Sequence, residues 1–457
     1  MFNHDHKTVP SYYEHTRNLR IDAPQLQQDI KADVVIIGGG LTGCSTALHL
    51  ATRGVDVAVV EARYFGWGAS GRSGGQIVNG FSVGQEVLEK LVGMESAKAL
   101  WDHSVQSVEY TRQLIKTHHI DCDLSMGYLH VGVKRRQAKE LEQWAEHLSR
   151  AYHYSAAAYH DKGELAQFLG SDLYQGGVSD SGSGHLHPLN YCLGIAKAAQ
   201  DAGARLFQNS AAVKVESSAT GKVVHCAAGE RRNRADEKRV NGARVNGTRV
   251  NGTLSCDQVV YGCNAYLTSF NRSGLAPKIS NKIMPVGTYI IATEPLREQV
   301  ALGLIANRAA VADTNFVLDY YRLSADNRML FGGRVSYSTL EPVKLTQSLR
   351  RRMVRVFPQL QGVKIDFSWG GYVAITRNRA PHIGQMDDRS WFAQGYSGHG
   401  MALSGYMGKL LAQAILGDRE GIACFEKVPH KTFPGGALLR MPTLVAAMGY
   451  YKLKDYF

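Results

Sequence analysis

Three glycine-rich stretches hold the residues of this chain whose types and spacing best suit chemistry. In the first, the apolar run Val34–Ile37 leads into Gly38-Gly39-Gly40-Leu41-Thr42-Gly43, and a second apolar run, Val57–Val60, ends in Glu61. A strand, a G-x-G-x-x-G turn, a helix and a strand ending in an acid about twenty residues on is the fingerprint of dinucleotide binding. Gly38 would make the tight turn, Gly40 would let backbone approach a pyrophosphate, Gly43 would pack helix on strand, and Glu61 would hold ribose hydroxyls. The second stretch, Gly66-Trp67-Gly68-Ala69-Ser70-Gly71-Arg72-Ser73-Gly74-Gly75-Gln76, supplies Ser70, Arg72 and Ser73 as donors. A simple NAD fold rarely needs it, whereas an extended FAD must also have its ribityl and diphosphate region enclosed. The third stretch, Gln394 to Gly405, precedes the apolar helix residues Leu410, Leu411, Ala414, Ile415 and Leu416. A helix start of this kind presents backbone N–H groups and a positive end to the electron-rich pyrimidine edge of a reduced flavin.

The elements that must position these turns are interleaved along the chain. Residues 31–80 predict a β-α-β start, 84–118 a helical stretch, and Tyr128 to Val133 a strand by its alternation. Pro188 opens a helix through Ala202 that ends at Gly203 and feeds the strand Arg205-Leu206-Phe207; Ala211 to Glu216 is a further strand. Met284 to Thr293 and Val317 to Gly332 read as strands of a second sheet, and Trp369 to Ile383 returns toward the nucleotide. The expected class is α/β with an α+β substrate part: a Rossmann-like FAD-binding domain interleaved with a mainly antiparallel-sheet substrate domain. The expected segments are 31–120, 175–270 and 366–425 for the first, 121–174 and 271–365 for the second, with 1–30 and 426–457 as terminal extensions.

With these motifs in place, the chain resembles the D-amino-acid-oxidase/glycine-oxidase superfamily of FAD enzymes, and within it the bacterial gamma-glutamylputrescine oxidoreductase family. The resemblance is carried, beyond the glycine stretches, by Ser11-Tyr12-Tyr13, Gly184 to Asn190, Asn264-Ala265-Tyr266-Leu267, Leu318 to Leu323 with Ala325 to Arg328, Phe357 to Leu360 and Phe433-Pro434-Gly435-Gly436, all collinear. It implies noncovalent FAD held by Gly38, Gly40, Leu41, Thr42, Gly43, Glu61, Ala62, Arg63, Gly68, Ala69, Ser70, Arg72, Ser73, Gly74, Gly75, Gln76, Val213 (against adenine), Asn264, Gly395, Gly398, His399, Gly400, Met401 and Ala402. Some members attach flavin through a cysteine in the region resembling Trp369 to Ile383; this chain has none there. His399, Tyr320 and Tyr321 are the candidate catalytic residues. One of the tyrosines would guide an amine by cation–π attraction, although both also read as ordinary strand residues, one facing the core and one the solvent.

The implied reaction is oxidation of a primary amine, gamma-glutamylputrescine or a related polyamine, to an aldehyde with ammonia and hydrogen peroxide, with O2 as acceptor, in putrescine catabolism. Two alternatives stay open: an oxidase of secondary amines or amino acids such as sarcosine, glycine or pipecolate, and a non-catalytic accessory flavoprotein. Sarcosine-oxidase-like relatives carry a lysine three residues after the loop histidine and an arginine shortly beyond the second glycine stretch. Here those places are Ala402 and the run Gln76-Ile77-Val78-Asn79-Gly80, so a substrate carboxylate beside the flavin would be desolvated without a partner, at a cost of several kcal/mol.

The rest of the composition narrows the function classes. At 457 residues and 44% hydrophobic content, the chain can bury two or three domain cores. Its charge of +12 comes without a basic run interleaved with aromatics, so no nucleic-acid partner is expected, and it gives a cationic substrate no help. Seven cysteines without a C-x-x-C pair read as reduced, mostly buried thiols. Met1 to Arg20 has no apolar signal core and no run approaches 18 apolar residues, so the expected place is the cytoplasm. His185 and His187 alternate without an acid or thiol cluster, so no metal is expected. Three pentapeptides, Arg239 to Ala243, Arg244 to Thr248 and Arg249 to Thr253, carry Asn-Gly hairpin signals but are too short for a solenoid, and read as a surface insertion without catalytic role.

Overall fold

The computed structural model describes residues 10–228, 244–245, 248–267, 275–315, 318–333 and 344–434. Two sheets organise them. The first is built on the apolar strand Ile30–Ile37, which pairs in parallel with Val57–Val60 on one side and Gly252–Tyr261 on the other. Arg205–Phe207 extends it beyond Val57–Val60, and Ser390–Gln394 beyond Gly252–Tyr261, again in parallel. Buried on both faces, such strands must read as continuous hydrophobic runs, and Val34–Ile37 and Val57–Val60 do.

One face of this sheet is covered by the helix Leu41–Ala51, flanked by Pro188–Asp201 and Gly400–Ile415. Small residues set the spacing. A Cβ on Gly43 would overlap the Gly38 carbonyl oxygen, and one on Gly408 would approach the Thr42 carbonyl oxygen to 2.6 Å. Gly38, at φ +111°, makes the sharp exit from the first strand that only glycine makes freely.

The second sheet has nine strands in the order Ile365–Ile375, Met284–Thr293, Met329–Gly333, Asp319–Leu323, Ala310–Asp313, Ser125–Gly132, Gly176–His185, Gln76–Ile77, with Ala157–Asp161 paired to Gly176–His185. All its pairings are antiparallel except Ala310–Asp313 with Ser125–Gly132.

Several elements differ from the sequence reading. The stretch 84–118 is two helices, Gln85–Val92 and Met94–Thr117, parted at Gly93 with φ +81°. The segment read as one strand to Gly332 is a hairpin, turned at Ser324 to Arg328 with Asn327 at φ +63°; Val317 lies outside the described residues. Gln76–Ile77, Gly176–His185 and Ile365–Ile375 sit in the second sheet, not in the nucleotide sheet to which 31–120, 175–270 and 366–425 were assigned. Alternation identifies a strand but not the sheet it joins.

The N-terminal stretch is part of the core. Tyr12 and Tyr13 are buried; the Tyr12 hydroxyl donates to Asp326 Oδ1 at 2.7 Å, and the Tyr13 ring meets Trp369 edge-on with centroids 5.3 Å apart. Of the C-terminal stretch, residues to Pro434 are described, and Phe433 N donates to the Asn281 carbonyl at 3.1 Å. In the repeat, Arg244 pairs with Arg249 and Val245 with Thr248; Asn246, Gly247 and the first copy lie outside the described residues.

Candidate active site

A cavity of about 640 Å³ runs between the two sheets and is reached by all three glycine stretches. At one end lie Gly38, Gly40, Leu41, Thr42, Glu61 and Ala62. Glu61 Oε2 accepts from Gly39 N at 2.7 Å and Oε1 from Arg63 N at 2.9 Å, so the acid that ends the second strand also ties down the first turn. Burial raises its pKa, and these two backbone donors oppose the rise. Ser70 Oγ accepts from Leu41 N at 3.1 Å and caps the start of the first helix. A Cβ on Gly40 would stand 2.9 Å from that same Oγ.

Gly68, Ala69, Ser70, Arg72, Ser73, Gly74, Gly75 and Gln76 continue the lining. The Arg72 guanidinium lies 4.1 Å from the centre of the Trp67 ring, and its Nε and Nη2 are buried with no hydrogen-bond partner. Buried donors of this kind normally have acceptors, which a phosphate or flavin oxygen would supply. The Gly74-Gly75 turn is braced from behind by buried Arg322, whose Nε donates to the Gly74 carbonyl at 2.7 Å and Nη2 to the Leu186 carbonyl at 2.9 Å. Tyr320 lines the cavity in front, its ring filling the space a side chain at Gly74 or Gly332 would need.

The third stretch closes the wall with Gly398, His399, Gly400 and Met401, the start of the helix Gly400–Ile415. The first N–H groups of a helix lack partners within it, and here they belong to cavity-lining residues. Burial lowers the His399 pKa to about 4, with the Arg379 charge and, once it is protonated, His130 adding to the shift, so the ring is neutral at pH 7. The far end is walled by Tyr128, His130, Gln137, Asp313 and Asn315, with Arg136 and Glu140 beside them. Burial also holds His130 neutral, near 4, and together with the Asp319 charge pushes Asp313 up to about 7. The protein's basic excess stops at this wall: the charged lining residues are Arg72, Arg136 and Arg379 against Glu61, Glu140 and Asp313. Three guanidiniums thus stand with three carboxyl groups, one of which, Asp313, is only partly ionised at pH 7, so the lining carries little of the overall +12.

Some expected residues stand behind the wall. Tyr321 is fully buried in the second core, stacked on Phe331 and with its hydroxyl 2.9 Å from that of Tyr174. Adjacent strand residues face opposite ways, and the cavity side falls to Tyr320. Gly43 and Gly395 serve packing: a Cβ on Gly395 would overlap Thr376, and its N–H donates to Asn264 Oδ1, itself in the lining, at 2.9 Å. Val213 sits at a bulge between Ala212 and Lys214, while Ala211 and Ala212 face the cavity. Arg63 bonds Glu61 through its backbone, and Ala402 is buried inside its helix, so a lysine at 402 would not reach the cavity without rearrangement. The two places expected to lack a cation, Ala402 and Gln76 to Gly80, do lack one, but Arg379, which follows the strand Ile365–Ile375, reaches the lining.

Sequence reading missed Trp67, Tyr128, His130, Gln137, Asp313 and Arg379. The alternation of Tyr128-Leu129-His130 identified the strand, and its polar side was the signal left unused. His187 caps the helix Pro188–Asp201 by accepting from Asn190 N at 3.1 Å, and His185 Nε2 bonds the Arg308 carbonyl at 2.9 Å, both structural roles. All seven cysteines are free thiols. Cys263 lines the nucleotide end, with burial raising its pKa to about 12.

The residues present thus fit an extended flavin dinucleotide: glycines where backbone must approach, an acid after the second strand as the fingerprint requires, unpaired guanidinium donors and a helix start at the other end. Comparison with known proteins agrees. Residues 33–414 match the family described as FAD dependent oxidoreductase. The chain is 40% identical over 449 residues to the oxidoreductase OrdL of Haemophilus influenzae, covering 98% of each chain. It is 37% identical over 445 residues to gamma-glutamylputrescine oxidoreductase of Escherichia coli, covering 97% of this chain and 98% of that one. The structure superimposes on glycine oxidase from Geobacillus kaustophilus with a TM-score of 0.67 at 20% identity, over 88% of this chain and 99% of that one. The chain belongs to the D-amino-acid-oxidase family of FAD-dependent oxidoreductases.

Proposed function

We propose that this enzyme oxidises a primary amine, gamma-glutamylputrescine or a close relative, to an aldehyde. The observation that carries this reading is the end-to-end 37% identity with the Escherichia coli gamma-glutamylputrescine oxidoreductase. The three carboxyl groups that accompany three guanidiniums in the cavity, with aromatic Tyr128, Tyr320, Tyr372 and Tyr396 in its lining, support it. Bound FAD supplies the two-electron acceptor. The amine R–CH2–NH2 loses two electrons and two protons to become an imine; water then releases R–CHO and ammonia, and O2 takes the electrons as hydrogen peroxide.

The protein's part is positioning. Tyr320, between Gly74 and Gly332, forms a flat wall against which the carbon chain lies. His399 and His130, neutral above about pH 5, add no cation to repel the amine. The helix start at Gly400 and Met401 favours negative charge arriving at that end of the cavity.

A second reading, oxidation of a substrate whose carboxylate is α to the reacting amine, is favoured by Arg379 in the lining. Stopped-flow bleaching of the flavin with a panel of amines and amino acids, followed by assays for ammonia and peroxide, tests both. Fast bleaching by gamma-glutamylputrescine is expected, and bleaching by none of the amines would refute the proposal.

A further inference from the structure

The cavity does not end at the reacting amine. Its far rim is formed by the first turns of the helix Arg135–Tyr152, from which Arg136, Gln137 and Glu140 reach the lining, opposite the segment carrying Asp313 and Asn315. Gln137 Nε2 donates to Asn315 Oδ1 at 2.9 Å and joins the two sides. Arg136 and Glu140 remain open to water, their side chains 64% and 61% exposed, and touch each other only through Nε and Oε1 at 3.5 Å. A guanidinium fork and a carboxylate are thus held one helical turn apart at the mouth of a cavity whose other end carries the nucleotide motifs.

We propose that Arg136 and Glu140 bind the two charges of an α-amino-acid head group, the carboxylate on the guanidinium and the ammonium on the carboxylate, and so select amines conjugated through an amide to such a head. The inference rests on the primary-amine reading above and assigns the distal end of the same substrate. A carboxylate meets a guanidinium through two parallel hydrogen bonds, a geometry that lysine or a lone amide does not offer. Opposite charges on one carbon need opposite charges close together, and an i,i+4 pair presents them. The same helix contains a second pair at the same spacing and distance, Arg150 and Glu146 at 3.5 Å, that lies away from the cavity. That pair is the internal control.

The test is the ratio of kcat/KM for gamma-glutamylputrescine to that for N-acetylputrescine, which keeps the amide and loses the zwitterion. Wild type is expected to prefer the glutamyl compound. In Arg136→Gln and in Glu140→Gln the ratio is expected to fall roughly tenfold, through KM rather than kcat, because each loses one charge-assisted contact. Arg150→Gln is expected to keep the wild-type ratio. All three side chains are exposed, so folding is preserved. A wild-type preference that survives within twofold in both mouth variants overturns the head-group assignment and leaves the amine reading standing. A wild type that does not distinguish the two compounds overturns the assignment at its root, and one that oxidises no amine at all overturns the proposed function with it.

Discussion

Thr42 Oγ1 and Tyr396 Oη lie 2.7 Å apart in the buried core, joining the helix that follows the first glycine turn to the loop that begins the third. This bond adds a link at the cavity wall between two stretches separated by most of the chain, whose helices also pack on each other. Tyr396→Phe strands the Thr42 hydroxyl and is expected to destabilise the protein by about 1–2 kcal/mol, read as a lower urea midpoint at pH 7.5; an unchanged midpoint would show that the bond does not contribute.

Glu61→Ala and Gly40→Val are both expected to yield folded protein without flavin. The first removes the carboxylate that ties Gly39 N to the second strand and that the dinucleotide fingerprint would set against the ribose; the second fills the approach at Gly40, where a Cβ already meets Ser70 Oγ at 2.9 Å. The absorbance ratio of flavin to protein in purified variants is the measurement, and wild-type ratios would contradict the assignment.

FAD is expected to leave the protein on acid precipitation. Cys263 is the cysteine in the lining, and it sits at the nucleotide end as a protonated thiol bonded to the Ile37 carbonyl at 3.4 Å. Yellow colour remaining in the washed pellet would refute this.

Mild acid should destabilise the fold through its buried histidines. His399 and His130 are depressed to about 4, and His185 and His187 to about 3, by burial first of all. Below about pH 6.5 the unfolded chain takes up protons on these rings that the folded protein refuses, so stability falls as pH drops from 6.5 toward 4. Asp313, raised to about 7, and Asp319, raised to about 6, work in the opposite direction, favouring the fold as pH falls through those values. The four rings outweigh the two carboxyls. Urea midpoints are expected to drop from pH 7.5 to pH 5, and the drop to shrink in His130→Gln; a flat profile would count against the buried neutral rings.

The sequence displayed most of the nucleotide end because its constraints are local. Gly38 must turn at φ +111°, Gly43 must admit the Gly38 carbonyl, and Glu61 must end a strand, so each leaves its mark at a fixed spacing. The substrate end is assembled from residues far apart in the chain, and no spacing records that His130, Arg136, Asp313 and Arg379 converge. Tyr320 and Tyr321 were indistinguishable until the pairing of Tyr320 with Gly332 set which of them faced the cavity. Deleting 239–248, whose copies read as an insertion, is expected to leave flavin content and turnover within about twofold, since loop length changes closure entropy only weakly.

The most direct test of the account is kcat/KM of the wild-type enzyme for gamma-glutamylputrescine, putrescine, sarcosine, pipecolate and D-alanine under air. The account predicts that gamma-glutamylputrescine leads and that the three α-carboxylates are turned over negligibly. A preference of tenfold or more for any of those three, about 1.4 kcal/mol in transition-state binding, would contradict it and give Arg379 the substrate carboxylate.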